Sequence, residues 1–469
     1  MSVSFFYVKI EFMKNMYCRF GMTIAIAGCL GMPVAAAESD STLNLTLDEA
    51  IEIALSDNPT VQVADWEITK QEYAKKGSLA ELFPTIDFSA TYNRTIQKQV
   101  MYMGGDDMPG MGEGEMSEGI KVGRNNVWSA GFSATLPIIS AQLWKQLAIS
   151  ADEVELAVEK SRSSKLSMVS QVRQAFYGVL LAKDSYVTFK ENYDNAMSNY
   201  VDIKQKYEQG LSSEYDLIRA DVSVKNAEPS MFDAENAIVL AEWQLKALIG
   251  VDLALDIDCA GSLGDYEGDL YADYLSVDTT MVAGNSSLRQ LDLQHQQLVE
   301  TRKQAQAAYY PTLDLTFSYQ WNAMAEDFKF KDYRWNPYSM LGLTLNIPIF
   351  SGGKRYNTLK QTKVQIEQLS LTRYDTERSL MVSVRQYVDK MRTCIMQYQS
   401  AAKGIEQARK GYEIAEKRYA TGAGTLLEIN DSQLALTQAQ MNRSQSIYDF
   451  LVAKAMLDET MGTDYQVKN

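Results

Sequence analysis

The sequence has little of the chemistry on which enzymes and metalloproteins depend. It contains one histidine, His295, and four cysteines, two of which, Cys18 and Cys29, lie near the start of the chain. Zinc sites and Ser-His-Asp triads need several such side chains brought together by the fold. The scarcity argues against an enzyme and against a resident metal, and we expect no cofactor.

Positive charge is also scarce, with 45 Lys and Arg against 60 Asp and Glu and a net charge of −15. Binding to a nucleic acid backbone needs concentrated positive charge, so we expect no nucleic acid partner. Hydrophobic residues make up 46% of the chain and charged residues 22%. This composition is sufficient for a folded core.

Long apolar runs are absent after the start of the chain. Residues 1–37 combine Lys14, Arg19, the apolar run "MTIAIAGCLGM" and the small residues of "VAAAES", a pattern that predicts a signal peptide. A second reading is a lipoprotein signal, because "IAGC" places small residues before Cys29, which would then be lipidated. Beyond this segment no apolar run reaches the roughly 18 residues of a membrane-spanning helix. Any later membrane segment must therefore consist of strands.

The chain carries an internal repeat. The segment "KYEQGLSSEYDL" (206–217) recurs as "RYATGAGTLLEI" (418–429), and "FPTIDFSATYN" (83–93) recurs as "YPTLDLTFSYQ" (310–320). Each half reads as a helix, two strands and a helical hairpin with a glycine turn. We predict a first repeat over 38–250, an irregular linker over 251–280, a second repeat over 281–462 and a tail over 463–469.

The segments before the glycine turns predict coiled coils. Apolar residues from Leu380 to Tyr419 alternate at spacings of four and three, and Val172, Val179 and a series of tyrosines ending at Tyr207 recur every seven residues. Residues 141–209 and 352–421 would each form a helix of about 100 Å. The helices that open each half and those that follow the turns are about half as long. We expect two short helices, stacked end to end, to accompany each long helix.

Four segments predict membrane strands. Ile86, Phe88, Ala90 and Tyr92 alternate with polar residues, and the same alternation recurs around residues 128–136, 312–321 and 341–347. Strands of about ten residues with one apolar face are long enough to cross an outer membrane. Four strands cannot close a membrane barrel alone, so we expect three chains to contribute to a twelve-strand barrel.

These features together resemble the TolC family of outer-membrane efflux and secretion channels. The resemblance is carried by "LTLDEAIEIALSDNP", the strand openings "FPT" and "YPT", the strand ends "LPIIS" and "IPIFSGGK", and the turns "KYEQG" and "RYATG". It implies a mainly α-helical homotrimer with a β-barrel in the lipid of the outer membrane and a coiled-coil helical tunnel in the periplasm. It also implies a periplasmic adaptor protein and an inner-membrane pump as partners. The implied function is the exit duct of a tripartite efflux pump or a type I secretion system.

The resemblance also places a gate at the two glycine turns. It assigns Asp216 and Tyr419 to the gate and Glu428 and Asp431 to the entrance, whereas well-known members carry a gating arginine where this chain has Gly424. We expect the closed state to be held in another way or more loosely, because Gly424 supplies no guanidinium to neutralise these acids. The remaining candidate residues lie in or beside the turns: Tyr207, Gly210 and Gly422.

Two other functions fit parts of the sequence. A soluble periplasmic coiled-coil scaffold would account for the seven-residue repeats but not for the four amphipathic strands. A metal-binding role would use the segment "MYMGGDDMPGMGEGEMSEG" (101–119), in which methionines and acids are crowded. The same composition is typical of an exposed loop between strands.

Overall fold

The computed structural model describes residues 43–101, 120–271 and 282–463 of the chain. The predicted signal peptide with Cys29, nearly all of the methionine-rich segment and most of the C-terminal tail lie outside these residues. Helices dominate the described part. In chain order they are α1 (Leu47–Asp57), α2 (Pro59–Ala80), α3 (Ala141–Glu208), α4 (Glu214–Ile249), α5 (Ser286–Ala307), α6 (Lys354–Ala420) and α7 (Leu426–Met461).

The helix boundaries follow from local side chains. Thr46 caps α1 with a capping box, in which its hydroxyl accepts from the Glu49 backbone N–H and the Glu49 carboxylate accepts from the Thr46 N–H. Asn58 then separates α1 from α2 and caps α2, whose first residue is Pro59. The predicted opening helix is therefore two helices, because the "DNP" sequence both ends one and starts the next.

The two long helices confirm the coiled-coil prediction. α3 has 68 residues and α6 has 67, close to the predicted boundaries. Every predicted seam residue of α6 is buried or half-buried: Leu380, Val384, Tyr387, Met391, Cys394, Tyr398, Ala401, Ile405, Ala408, Tyr412, Ala415 and Tyr419. The seven-residue pattern therefore identified the packed face correctly.

The shorter helices stack end to end, as predicted. The Asn58 side-chain amide at the start of α2 donates to the Leu248 carbonyl in the last turn of α4, at 2.5 Å. The Asn285 amide at the start of α5 donates to the Thr460 carbonyl of α7, at 2.7 Å. Leu248 and Thr460 lie 212 positions apart, the spacing of the repeat. Each half therefore builds the same helix-to-helix joint with the same side chain.

The strands form one main antiparallel sheet and two small pairs. The main sheet has the order β2 (Thr85–Arg94), β5 (Asn126–Ile139), β7 (Thr312–Ala325) and β8 (Asn336–Asn346). In the two small pairs, β1 (Leu43–Leu45) lies beside β6 (Ile257–Cys259), and β3 (Gln99–Met101) lies beside β4 (Ile120–Val122). Within the described residues β2 and β8 are the edges of the main sheet.

The register of the main sheet brings the predicted apolar residues to one face. Phe88 lies opposite Phe132, and Phe132 lies opposite Tyr319. On the other face Ser89 lies opposite Gly131, which lies opposite Gln320. Because directly opposed residues point to the same side of an antiparallel sheet, one face is mainly apolar and the other mainly polar. The pattern breaks on β8, where Ser339 falls on the apolar face and Tyr338 and Met340 fall on the polar face.

The largest apolar core lies where the helix stacks meet the linker. Its centre includes Phe176 of α3, Leu245 of α4, Met391 of α6 and Phe450 of α7. A 3₁₀ helix (Leu263–Tyr271) packs against it, and the linker is held to α7 by ion pairs of Glu267 with Arg443 and Asp269 with Lys454. The part of the predicted linker that the structure describes is thus ordered around a strand and a 3₁₀ helix. None of the helices in the described residues has the length and apolarity to cross a membrane.

Candidate functional site

The candidate residues lie at the tips of two helical hairpins that have the same backbone. The first tip joins α3 to α4 and the second joins α6 to α7. Gly210 and Gly422 adopt φ angles of +76° and +72°, a left-handed conformation that favours glycine. Ser213 and Thr425 then cap the following helices by accepting from the backbone N–H groups of Asp216 and Glu428. The sequence repeat at the turns is therefore a structural repeat.

Tyr419 connects the two tips. It packs against a small apolar cluster in which Ile203 and Ala220 of the first hairpin are buried. The Ser212 side chain lies near the Tyr419 hydroxyl, and the Lys206 ammonium lies 5.2 Å from the centre of the Tyr419 ring. This contact has apolar, polar and cation–π parts, all supplied by the first hairpin.

The environment of Tyr419 also changes its acidity. Burial raises the pKa of the Tyr419 hydroxyl, and the negative charge of Asp216 raises it further. Asp216 is half-buried, and its carboxylate accepts from the Ser213 hydroxyl at 2.7 Å. The structure therefore brings Asp216 and Tyr419 into one site, with the tyrosine held in its neutral form.

Glu428 has a guanidinium partner that the sequence reasoning missed. The Arg418 Nη1 atom lies 3.3 Å from the Glu428 Oε2 atom, and Arg418 also donates to the Ala423 carbonyl at 3.1 Å. Position 424 supplies no guanidinium to the acids of the tips, but Arg418 supplies one to Glu428. The cation comes from the last turn of α6, before the glycine, and not from position 424.

Gly424 is required by close packing of the second turn. A Cβ atom at this position would lie 2.9 Å from the Arg418 Cβ atom and 3.0 Å from the Tyr419 backbone nitrogen. Real side chains do not tolerate such contacts without a shift of the backbone. A residue with a Cβ atom at position 424 would therefore require a shift of the turn, because these contacts are with the Cβ atom and backbone of residues 418 and 419.

The other two candidate side chains are not part of this cluster. Tyr207 is 40% exposed although it is the counterpart of Tyr419 in the repeat. Asp431 is exposed on the second turn of α7. The structure thus brings Asp216, Tyr419 and Glu428 to the packed tips and leaves Tyr207 and Asp431 facing solvent in the single chain.

The residues that sequence reasoning missed are Lys206, Ser212 and Arg418. The signal for Arg418 and Lys206 was present, because both precede the repeated tyrosine and both are basic. The repeat alone did not show that the two cations make different contacts. Lys206 contacts Tyr419 of the second tip, whereas Arg418 contacts Glu428 of its own tip. In the described ranges no group of three or more His, Cys, Asp or Glu side chains is arranged to hold a metal ion.

Comparison with known proteins places this fold and these tips in context. A family model described as "Outer membrane efflux protein" matches residues 50–251 and 280–463. The outer membrane protein TolC of Escherichia coli is 23% identical over 188 residues, a match that spans 38% of this chain and 38% of that protein. The toluene efflux pump outer membrane protein TtgI of Pseudomonas putida is 22% identical over 435 residues, covering 89% of this chain and 85% of TtgI.

A solved structure has the same fold. The CmeC outer membrane channel of Campylobacter jejuni superposes with a TM-score of 0.70 over 94% of each chain, at 18% sequence identity. At this identity the likeness concerns the fold. It includes both the four strands and the long helices, since nearly the whole described chain is covered.

Proposed function

Because the chain belongs to the outer membrane efflux protein family, we propose that it is an exit duct that passes substrates from the periplasm to the outside of the cell. The duct serves a tripartite efflux pump or a type I secretion system. The chain lies in the outer membrane, with its helices in the periplasm, and it is a channel protein and not an enzyme. The observation that carries the proposal is the sheet with one apolar and one polar face, continuous with two long helical hairpins.

The apolar face of the sheet suits contact with lipid. Phe88 is 59% exposed, Leu341 is 70% exposed and Leu343 is 66% exposed in the single chain. Such exposure in water would be costly, whereas an outward apolar face is what a membrane barrel requires. The opposite face carries hydroxyl and amide groups, including a hydrogen bond between Tyr338 and Gln320 at 2.6 Å. This face suits a water-filled lumen.

The two free sheet edges support a trimer. Unpaired backbone groups of β2 and β8 cannot remain unsatisfied in lipid, so another copy must pair with each edge. Three copies of a four-strand sheet give a twelve-strand barrel, wide enough for a lumen. The two-repeat boundaries proposed from the sequence, 38–250 and 281–462, then place six similar hairpins around the periplasmic mouth.

The helix faces provide independent support for the trimer. Ser444, Leu451 and Ala455 on α7 are buried, and their repeat counterparts on α4 are Phe232, Val239 and Trp243. These three counterparts are 49%, 51% and 52% exposed. Since α7 lies against α3 within the chain, the repeat predicts that α4 lies in the same way against α6 of a second copy.

The hairpin tips form the mouth of the duct in this proposal. Threefold symmetry turns Asp216 and Glu428 into rings of carboxylates, with Tyr419 closing the contact between hairpins and Asp431 at the entrance. A periplasmic adaptor and an inner-membrane pump engage this end. The contacts of Tyr419 with Lys206 and Ser212 support a gate that is held by packing between hairpins rather than by a residue at position 424.

A soluble periplasmic scaffold is the alternative function. It would leave the exposed apolar face of the sheet without a partner, so the observations favour the duct.

The test is to purify the full chain in detergent, measure its mass by light scattering corrected for bound detergent, and insert it into planar lipid bilayers. We expect trimers that conduct ions in discrete steps. A stable monomer in aqueous buffer without detergent, with full strand content and no conductance, would support the scaffold instead.

A further inference from the structure

The repeat tyrosines Tyr207 and Tyr419 occupy equivalent positions but have different surroundings. Both lie three residues before the turn glycine, and both carbonyls accept from that glycine's backbone N–H, at 2.9 Å for Tyr207 and 3.0 Å for Tyr419. Tyr419 is half-buried by the first hairpin, whereas Tyr207 is 40% exposed. The two tyrosines differ in their neighbours, because Tyr419 packs into the apolar cluster at the tips, whereas Tyr207 belongs to neither apolar cluster of the described residues.

The groove that receives Tyr419 also has a counterpart. On the first hairpin the groove is built by Ile203, Lys206, Ser212 and Ala220. A shift of 212 positions places Ala415, Arg418, Gly424 and Ser432 at the same sites of the second hairpin. Ala415 of this second groove is already 5% exposed within the chain, so the surface left for a tyrosine is that around Arg418, which is 54% exposed; Tyr207 belongs to neither apolar cluster of the described residues.

We propose that Tyr207 of one copy packs into this second groove on a neighbouring copy, with the Arg418 guanidinium of that copy over its ring. The inference rests on the trimeric assembly proposed above and names a contact within it. Arg418 can stack on an aromatic ring while its edge donates to Glu428, because a guanidinium is planar and has five N–H donors. The contact would thereby cover both the Tyr207 ring and the Arg418 side chain, which are exposed in the single chain.

The joint between copies is looser than the joint within a chain. Gly424 has no hydroxyl at the position where Ser212 lies near Tyr419, and Ala415 has less apolar surface than Ile203. The cation–π attraction of Arg418 for the Tyr207 ring is also weaker, because Arg418 is already paired with Glu428. The mouth therefore opens first at the three joints between copies, while Tyr419 keeps the two hairpins of each chain together.

Crosslinking between introduced cysteines tests this contact. In a chain whose four native cysteines are replaced by alanine, Tyr207→Cys is combined with Arg418→Cys, and the matched control combines Lys206→Cys with Tyr419→Cys. The purified, detergent-solubilised proteins are treated with a short bis-maleimide and separated on a denaturing gel. We expect the first pair to shift from monomer to covalent dimer and trimer, and the control pair to remain at monomer mobility with an internal crosslink detected by mass spectrometry.

A second measurement uses the channel itself. Tyr207→Ala should raise the conductance of the resting channel in bilayers, whereas Tyr207→Phe, which keeps the ring, should leave it at the wild-type level. The proposal is overturned if the first cysteine pair stays monomeric while the control pair reacts and light scattering shows trimers, a result that leaves the proposed duct intact. Absence of trimers in light scattering would overturn both. Wild-type conductance in both Tyr207 variants would also overturn the contact.

Discussion

At the scale of single residues, the hairpin tips show how one position can take over the charge of another. Gly424 carries no charge, and Arg418, six residues earlier, supplies a guanidinium to Glu428. The two side chains are 54% and 40% exposed, so their attraction is screened by water and contributes little to stability. The Arg418–Glu428 pair affects the electrostatic potential at a narrow mouth more than it affects stability, because three such pairs lie close together in the proposed trimer.

This pairing predicts unequal roles for the two acid rings. Asp216→Asn should lower cation selectivity more than Glu428→Gln, because Glu428 is already partly neutralised. Arg418→Gln should raise cation selectivity by freeing Glu428. Reversal potentials of single channels in a salt gradient measure all three, with Glu72→Gln, an exposed acid on α2 away from the tips, as the control. Equal shifts for Asp216→Asn and Glu428→Gln would show that Arg418 does not screen the second ring.

Asp152 on α3 gives a pH-dependent prediction. It is 7% exposed, its Oδ1 accepts from Gln296 of α5 at 3.1 Å and its Oδ2 has no partner among the described residues. Burial raises its pKa above the ordinary 3.8, and the nearby Glu155 and Glu300 add to this, against Lys303. A raised carboxyl pKa means that the folded state holds the proton more tightly, so stability falls as pH rises from the ordinary pKa through the raised one.

Asp152→Asn should therefore stabilise the protein at neutral pH. We expect a modest gain, because the substitution removes a buried negative charge that lies near Glu155 and Glu300, and the gain should shrink as the pH is lowered toward the ordinary carboxyl pKa. Thermal unfolding followed by circular dichroism at several pH values measures it. Glu153→Gln, next to it and bonded to Gln297, is the control, and a pH-independent gain for Asp152→Asn would contradict the explanation.

At the scale of elements, the sheet makes a prediction about its two faces. Phe88 and Ser89 are neighbours on β2 but point to opposite faces. Phe88→Arg should impair insertion into the outer membrane, because a cation on the lipid face near the midplane costs roughly 2 to 4 kcal/mol. Ser89→Arg should be tolerated in a wet lumen. The amount of folded protein in isolated outer membranes compares them, and equal losses would mean that the faces are assigned wrongly.

The elements also show what the sequence could reveal. The long helices and the strands were predictable because apolar residues recur at periods of seven and two over many residues, and the structure agrees with both. The joints at Asn58 and Asn285 were not predictable, because a single amide that bonds to a carbonyl 190 or 175 positions away leaves no periodic signal. The Arg418–Glu428 pair was not predictable for a similar reason, because it depends on the conformation of the turn between α6 and α7.

At the scale of the whole molecule, the repeat predicts which surface the assembly covers. Trp243 on α4 is 52% exposed, and its counterpart Ala455 on α7 is 2% exposed. Trp243→Glu should weaken the trimer, because it places a charge in an apolar contact. Val222→Glu is the matched control, since its counterpart Leu434 is itself 68% exposed. Sedimentation in detergent at decreasing protein concentration compares them, and equal dissociation would contradict the repeat argument.

The end-to-end joints have a mechanical consequence. The long helices α3 and α6 run without interruption past the level at which the short helices are broken at Asn58 and Asn285. A long helix packed against two short helices bends most easily where the two short helices meet. Bending of the hairpin tips relative to the sheet is therefore concentrated at the joints of Asn58 and Asn285, in both halves of the chain. Each joint includes one amide–carbonyl hydrogen bond from an asparagine side chain in addition to apolar packing. The two asparagines therefore contribute to how stiff this hinge is.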